Sequence, residues 1–245
     1  MPRFLALLLL ALGLCLVPGH AHAAISLQKN LPLSARDMEF YYQRSNPEVL
    51  PSMLRAFSRA GKFAQPENRM MVAAFLAEVV RSDGKALEKI LPLAQELGPD
   101  GRRMLAWMGH LAALPNEGEL LQGLLEPRDE ILRRMIVQSP RNLAQWDIYS
   151  EKTVLHMYWA AFFATRNMAC LDAIIQATLR YARLNARGHQ KERVFPLCQA
   201  AAASLYELVP RHEDARKRVH EALAGLSGAE ADTLQVILRQ KQAQG

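Results

Sequence analysis

One stretch constrains this chain more than any other: Tyr149 to Arg183, YSEKTVLHMYWAAFFATRNMACLDAIIQATLRYAR. From Thr153 to Ala164 it is apolar on nearly every side, with Thr153 and His156 as the exceptions. A helix of that kind has to be enclosed by other helices. Its twelve residues fall short of the roughly twenty that a bilayer-spanning helix needs. The second half places Leu171, Ile174, Ile175, Thr178, Leu179 and Ala182 at i, i+3, i+4 spacing, with Asp172, Gln176, Arg180 and Arg183 turned away. The expected unit is a helical hairpin in which an amphipathic helix closes over a buried one.

The same grammar runs along the rest of the chain. A helix is expected from near Ser34, and a second from Pro47 to about Ala60, capped by Asn46 and ended by Gly61. Pro66 opens PENRMMVAAFLAEVVRS, which Asp83 and Gly84 break. KALEKILPLAQEL follows, interrupted at Pro92. Pro99 starts a helix that has ended by Pro115; ELLQGLLE and RDEILRRMIVQ come next, the latter begun by Pro127 and broken at Ser139-Pro140. Beyond the hairpin, Gly188 turns the chain into RVFPLCQAAAASLYELV, and HEDARKRVHEALAGL and AEADTLQVILRQK complete it. No alternating β-branched run interrupts the series, so the expected fold is all-α, with short breaks that favour antiparallel neighbours.

Four segments share an Ala-rich helix, a break and an amphipathic helix: AAFLAEVVRSDGKALEKIL, WMGHLAALPNEGELLQGLL, WAAFFATRNMACLDAIIQA and AAASLYELVPRHEDARKRVHEAL. Aligning Leu87, Leu120, Leu171 and Ala215 gives spacings of 33, 51 and 44 residues. Over Asn68 to Leu223 the pattern resembles a degenerate HEAT-like or tetratricopeptide-like α-solenoid of stacked antiparallel helical hairpins. The resemblance implies a single helical-repeat domain over residues 34–240 that acts as a scaffold, binding other proteins or peptides along a concave surface.

The N-terminus carries the compartment signal. Arg3 precedes a fourteen-residue apolar run, FLALLLLALGLCLV, and Ala21-His22-Ala23 supplies small residues at the −3 and −1 positions. This is the pattern of a secretory signal peptide, residues 1–23, which places the mature chain in the periplasm or outside the cell. Residues 24–33 read as an extended lead-in and residues 241–245 as a disordered tail. Cleavage leaves Cys170 and Cys198. An even count in an oxidising compartment admits a disulfide. Their offset across a hairpin turning near Arg187, about six residues or roughly 9 Å, argues instead for two separate buried thiols.

No stretch assembles a recognisable reactive site. Of His110, His156, His189, His212 and His220, none are paired at i, i+4 as a zinc helix requires. His212 and His220, eight apart, are expected on one helix face. His156 reads as a core histidine hydrogen-bonded to a neighbouring helix. There is no Gly-x-Ser-x-Gly elbow and no Gly-rich phosphate loop, and Cys170 lies on an apolar face without a histidine in its own helix. Glu78, Glu151 and Glu207 stand beside apolar sequence, where a raised pKa could serve glycan hydrolysis; each also fits the polar edge of an amphipathic helix. Trp107, Trp146, Tyr158, Trp159, Phe162 and Phe163 fit core packing better than an aromatic groove.

Charge is unevenly spread. The chain carries a formal +6, and from Arg180 to His220 nine Lys and Arg face four Asp and Glu. Arg183, Arg187, Lys191 and Arg193 crowd the turn after the hairpin, a candidate binding patch for an anionic surface. Nucleic acid ranks last among partners for an exported chain. The expectation is a non-enzymatic scaffold for an unidentified protein or peptide, with no cofactor, no metal and no transmembrane segment in the mature chain. A helical hydrolase using a buried Glu and an anion-binding module using the basic turn are the alternatives.

Overall fold

A computed structural model describes residues 33–240 of the protein, with side chains from Arg36 onward. The expected signal peptide, nearly all of the expected lead-in and the expected C-terminal tail lie outside the described residues. Within them every regular element is helical, and there are twelve α-helices. We number these α1 (Leu33–Glu39), α2 (Leu50–Arg59), α3 (Pro66–Ser82), α4 (Lys85–Ile90), α5 (Gly98–Leu111) and α6 (Glu117–Leu124). The second half comprises α7 (Glu130–Gln138), α8 (Lys152–Thr165), α9 (Met168–Ala186), α10 (Phe195–Leu208), α11 (Glu213–Leu223) and α12 (Gly228–Leu238).

The boundaries follow local chemistry. Asn46 accepts a 3.0 Å hydrogen bond from the Glu48 amide and starts a 3-10 turn, Pro47–Val49, that leads into α2. Gly61 ends α2 in the left-handed region (φ 64°), a conformation open to glycine because it has no Cβ. Pro92 stops α4 at Ile90 and leaves a 3-10 segment, Leu91–Ala94, since a proline cannot donate to the carbonyl one turn back. Pro66 and Pro99 sit in the first turns of α3 and α5, where the missing amide hydrogen is no loss.

The hairpin is α8 and α9. Ten of the fourteen residues of α8 are buried, and it is enclosed by α3, α9, α1 and the 3-10 turn Tyr41–Gln43. On α9 the stripe Leu171, Ile174, Ile175, Thr178, Leu179 and Ala182 is buried and Gln176 and Arg183 are exposed, as the spacing demands. Arg166, between the two helices, takes a left-handed conformation (φ 59°) and returns its amide hydrogen to the Phe162 carbonyl.

All four helix–break–helix segments form two successive helices; α3–α4, α5–α6 and α8–α9 pack on one another, whereas α10 and α11 are joined through the 3-10 turn Val209–Arg211. Their contacts do not run in chain order. The most extensive helix contact joins α3 to α8, and α3 also packs on α5, so α3 contacts both α5 and a helix that begins seventy residues beyond its own end. The C-terminal side is built on α9 against α10, with α11 and α12 added. Polar ties cross these seams: the Trp159 indole donates to Ser204 Oγ at 2.9 Å, and Arg218 grips both carboxylate oxygens of Asp172 at 2.6 and 2.8 Å.

Candidate interaction surface

Several ionisable groups inside the bundle are held by neighbours, and two histidines are the clearest cases. His212 is fully buried. Its ring lies parallel to Phe40 and Phe163, at 4.9 and 5.1 Å between centroids. Nε2 is 3.0 Å from Glu39 Oε1 and Nδ1 is 3.1 Å from the Tyr42 hydroxyl. A carboxylate can only accept, so Nε2 donates to Glu39 and Nδ1 accepts from Tyr42, whose oxygen in turn accepts from Gln43 at 3.2 Å. Arg211 reaches the same Glu39 at 3.0 Å. A carboxylate, an imidazole and a hydroxyl in sequence resemble a relay, but burial pushes the Tyr42 hydroxyl pKa up, away from nucleophilic activation.

The second case is His110, whose Nδ1 is 2.7 Å from Glu117 and whose Nε2 is 2.9 Å from the Ser139 carbonyl. That carbonyl has no proton to give, so Nε2 donates, and one further proton must sit between Nδ1 and Glu117. Arg141 lies 2.7 Å from the other Glu117 oxygen, off the hydrogen-bonding direction. This cluster holds the chain after α7 against α5 and α6.

His212 and His220 do not share a face. His212 precedes α11 in an extended conformation (φ −120°, ψ 101°) and is buried, whereas His220 is exposed on the helix. The 3.6-residue period does not extend to a residue outside the helix. His156 also departs from expectation: among the described residues it makes no hydrogen bond, and burial pushes its pKa down to about 4, with Lys152 adding to the effect. The hydrogen-bonded core histidines are His110 and His212.

The three candidate carboxylates are scattered. Glu78 is buried, 2.8 Å from Arg81 and 3.4 Å from the Asn167 amide. Glu151 is exposed at the residue before α8. Glu207 is half-buried; burial raises its pKa, Arg211 opposes this and Glu39 reinforces it. Cys170 and Cys198 are separate free thiols, both buried, and burial pushes the Cys170 thiol up to about 12. The thiolate that nucleophilic chemistry needs is therefore disfavoured. Among the described residues no group of three or more His, Cys, Asp or Glu is placed to hold a metal, and no helix is long and apolar enough to cross a membrane. Trp107, Tyr158, Trp159 and Phe162 are core residues, with Trp146 and Phe163 half-buried at its edge.

Two surfaces remain. In the basic turn Arg183, Arg187, Lys191 and Arg193 are all exposed. Arg183 is joined to Glu230 on α12, and among the described residues Arg187, Lys191 and Arg193 form no ion pair. Arg183 and Arg187 also lie at the C-terminal end of α9, where the helix dipole favours positive charge.

The other surface is α7, which packs on α5 through fully buried Ile136. It exposes Ile131 (68%), Val137 (60%) and Met135 (54%), the exposed large hydrophobic residues of the described chain. The sequence held a sign of this ridge. Ile131, Leu132, Met135, Ile136 and Val137 are five apolar residues in a nine-residue helix. One buried stripe cannot take them all, because Ile131–Met135 and Leu132–Ile136 form two adjacent stripes and Val137 lies beyond both.

Fold and surface together define a class: an all-α protein of paired helices with an uncovered apolar ridge on one of them. Comparison of the chain with models of protein families, with curated proteins and with solved structures returned no match.

Proposed function

We propose that this protein is an exported, non-enzymatic helical scaffold, built of solenoid-like hairpins, that binds a protein or peptide partner in the cell envelope. The observation that carries the reading is the exposure of Ile131 and Met135 as one stripe of α7, with Val137 exposed further round the same helix. Apolar side chains gathered on one exposed helix mark a docking face more often than a catalytic one. The signal-peptide pattern supports the envelope as the setting.

Photo-crosslinking from a benzophenone residue at position 135 in envelope extract tests this. A discrete polypeptide adduct, lost when Ile131 is changed to Glu, is the expected result; absence of any adduct above background refutes docking at this face.

The unpaired cations Arg187, Lys191 and Arg193 favour a second reading, in which the turn after α9 attracts an anionic surface. It requires salt-sensitive binding to vesicles rich in phosphatidylglycerol that is lost when these three become Glu. Vesicle binding that is absent, or unaffected by the triple change, removes it.

A further inference from the structure

We infer that the polypeptide covering the α7 ridge is a second copy of this chain, paired with the first as antiparallel helices about a two-fold axis. The inference rests on reading α7 as a docking face and names its occupant.

Charge complementarity supplies the argument. At 100° per residue, Ile131 and Met135 lie 40° apart and form the centre of a stripe. Glu130 and Arg134 lie together on one flank of it, about 100° away. Both are well exposed, at 59% and 65% of their side chains, and Glu130 is met only loosely within its own helix, at 3.9 Å by Arg134 and 3.8 Å by Arg133. Each therefore keeps capacity for a better partner.

When two helices pair antiparallel about a two-fold axis, each flank faces the same flank of its partner. A flank bearing one sign of charge repels its copy. A flank with an acid and a base one turn apart is complementary to its own inverted image: Glu130 meets Arg134 of the other copy, and Arg134 meets its Glu130. In that register Ile131 falls within about two residue rises, roughly 3 Å, of Met135 across the axis, close enough for the two side chains to cover one another in the arrangement that pairs the charges. A parallel arrangement loses this match.

The helix also sets the strength. Nine residues span roughly 14 Å, less than the ~800 Å² per partner of a standard stable interface requires. The dimer is accordingly weak, with half-dissociation at roughly 10–100 μM, in the range of transient contacts.

Sedimentation velocity of the full mature chain from 1 to 300 μM tests the inference. Wild type is expected to shift from monomer to dimer across that range. Glu130→Arg alone and Arg134→Glu alone each place like charges opposite one another and hold the chain monomeric; both positions face solvent, so each variant stays folded, with a small fall in melting temperature for Glu130→Arg because it puts positive charge in the first turn of α7 beside Arg133 and Arg134. An equimolar mixture of the two variants restores the dimer, since each then supplies what the other lacks. A wild-type chain that stays monomeric at 300 μM overturns the inference, and so does a dimer that survives both single charge reversals or a mixture that fails to recover it. An adduct from position 135 consisting of this chain alone supports it. An adduct with a different polypeptide overturns it while leaving the scaffold reading intact, and no adduct removes both.

Discussion

Nε2 of His212 lies 3.0 Å from Oε1 of Glu39, a contact that spans 173 residues of chain and fastens the helix at the start of the described residues to the end of α10. It seals the open side of the α8–α9 hairpin, because Tyr42, on the same N-terminal segment, both bonds His212 and packs its ring 5.3 Å from Phe162.

Removing that imidazole while keeping its shape isolates the polar tie. His212→Phe retains the stack between Phe40 and Phe163 but leaves the Glu39 carboxylate short of a donor and Tyr42 without its acceptor. A loss of about 2–4 kcal/mol is expected from the urea midpoint. Glu39→Gln, which still accepts from Nε2, is expected to lose about 1 kcal/mol. Protease cleavage near residues 43–46 should quicken in the first variant and little in the second.

Glu117 offers a comparison between two substitutions. In Glu117→Gln the amide hydrogen can donate to bare Nδ1 of His110 while Nε2 continues to serve Ser139, so stability stays within about 1 kcal/mol of wild type. Glu117→Ala strands a buried ring nitrogen and is expected to lose about 2–3 kcal/mol, Arg141 being open to solvent. Equal losses in the two variants would show that the carboxylate does not hold this histidine.

His156 makes the fold acid-sensitive. Its pKa is held down to about 4 by burial and then by Lys152, against about 6.5 in an unfolded chain. Between those values the unfolded state takes up a proton that the folded state refuses. Stability therefore falls as pH drops from about 7 toward 4, by at most about 3 kcal/mol, and this histidine contributes almost no slope above about pH 8. His156→Gln should flatten that part of the pH profile in equilibrium unfolding.

Tyr41 carries a buried hydroxyl with no hydrogen-bond partner among the described residues, on a ring edge-on to Phe75 at 5.3 Å. Burial pushes that hydroxyl up to about 12. Tyr41→Phe keeps the ring contact and removes an unsatisfied polar atom, so the thermal midpoint should stay level or rise, by up to about 1 kcal/mol in stability. A clear loss would mean that the oxygen has a partner.

Gly101 gives a test of sign. Alanine in place of a helical glycine usually adds about 1 kcal/mol, yet a Cβ here would lie 2.3 Å from Cβ of Leu97, an atom fixed to the backbone. Gly101→Ala should therefore destabilise by about 1–3 kcal/mol in chemical unfolding, through overpacking at the first turns of α5.

Much of the fold was legible in one dimension because helical periodicity, proline and glycine act locally. The α8–α9 hairpin, the interruption at Pro92, the stop at Gly61 and the buried stripe of α9 all follow from neighbours within a turn or two. The site was far less so. Arg183, Arg187, Lys191 and Arg193 do gather at an exposed turn, but Arg183 is engaged by Glu230, a partner 47 residues away. Glu78, Glu151 and Glu207 looked alike as acids beside apolar sequence. One proves salt-bridged, one exposed and one half-buried, because burial of a helix edge depends on which helix comes to lie against it.

Taken alone, the order of residues determined that this chain makes helices, where most of them begin and end, and that α8 must be enclosed, since backbone propensity and hydrophobic spacing are properties of short windows. Only the tertiary structure decided that α3 rather than α5 lies against α8, that His212 rather than His156 is the bonded core histidine, and that Ile131 and Met135 remain uncovered. Those outcomes depend on which distant surfaces exclude water together, and apolar faces of similar size and spacing do not distinguish one partner from another until the whole chain has packed.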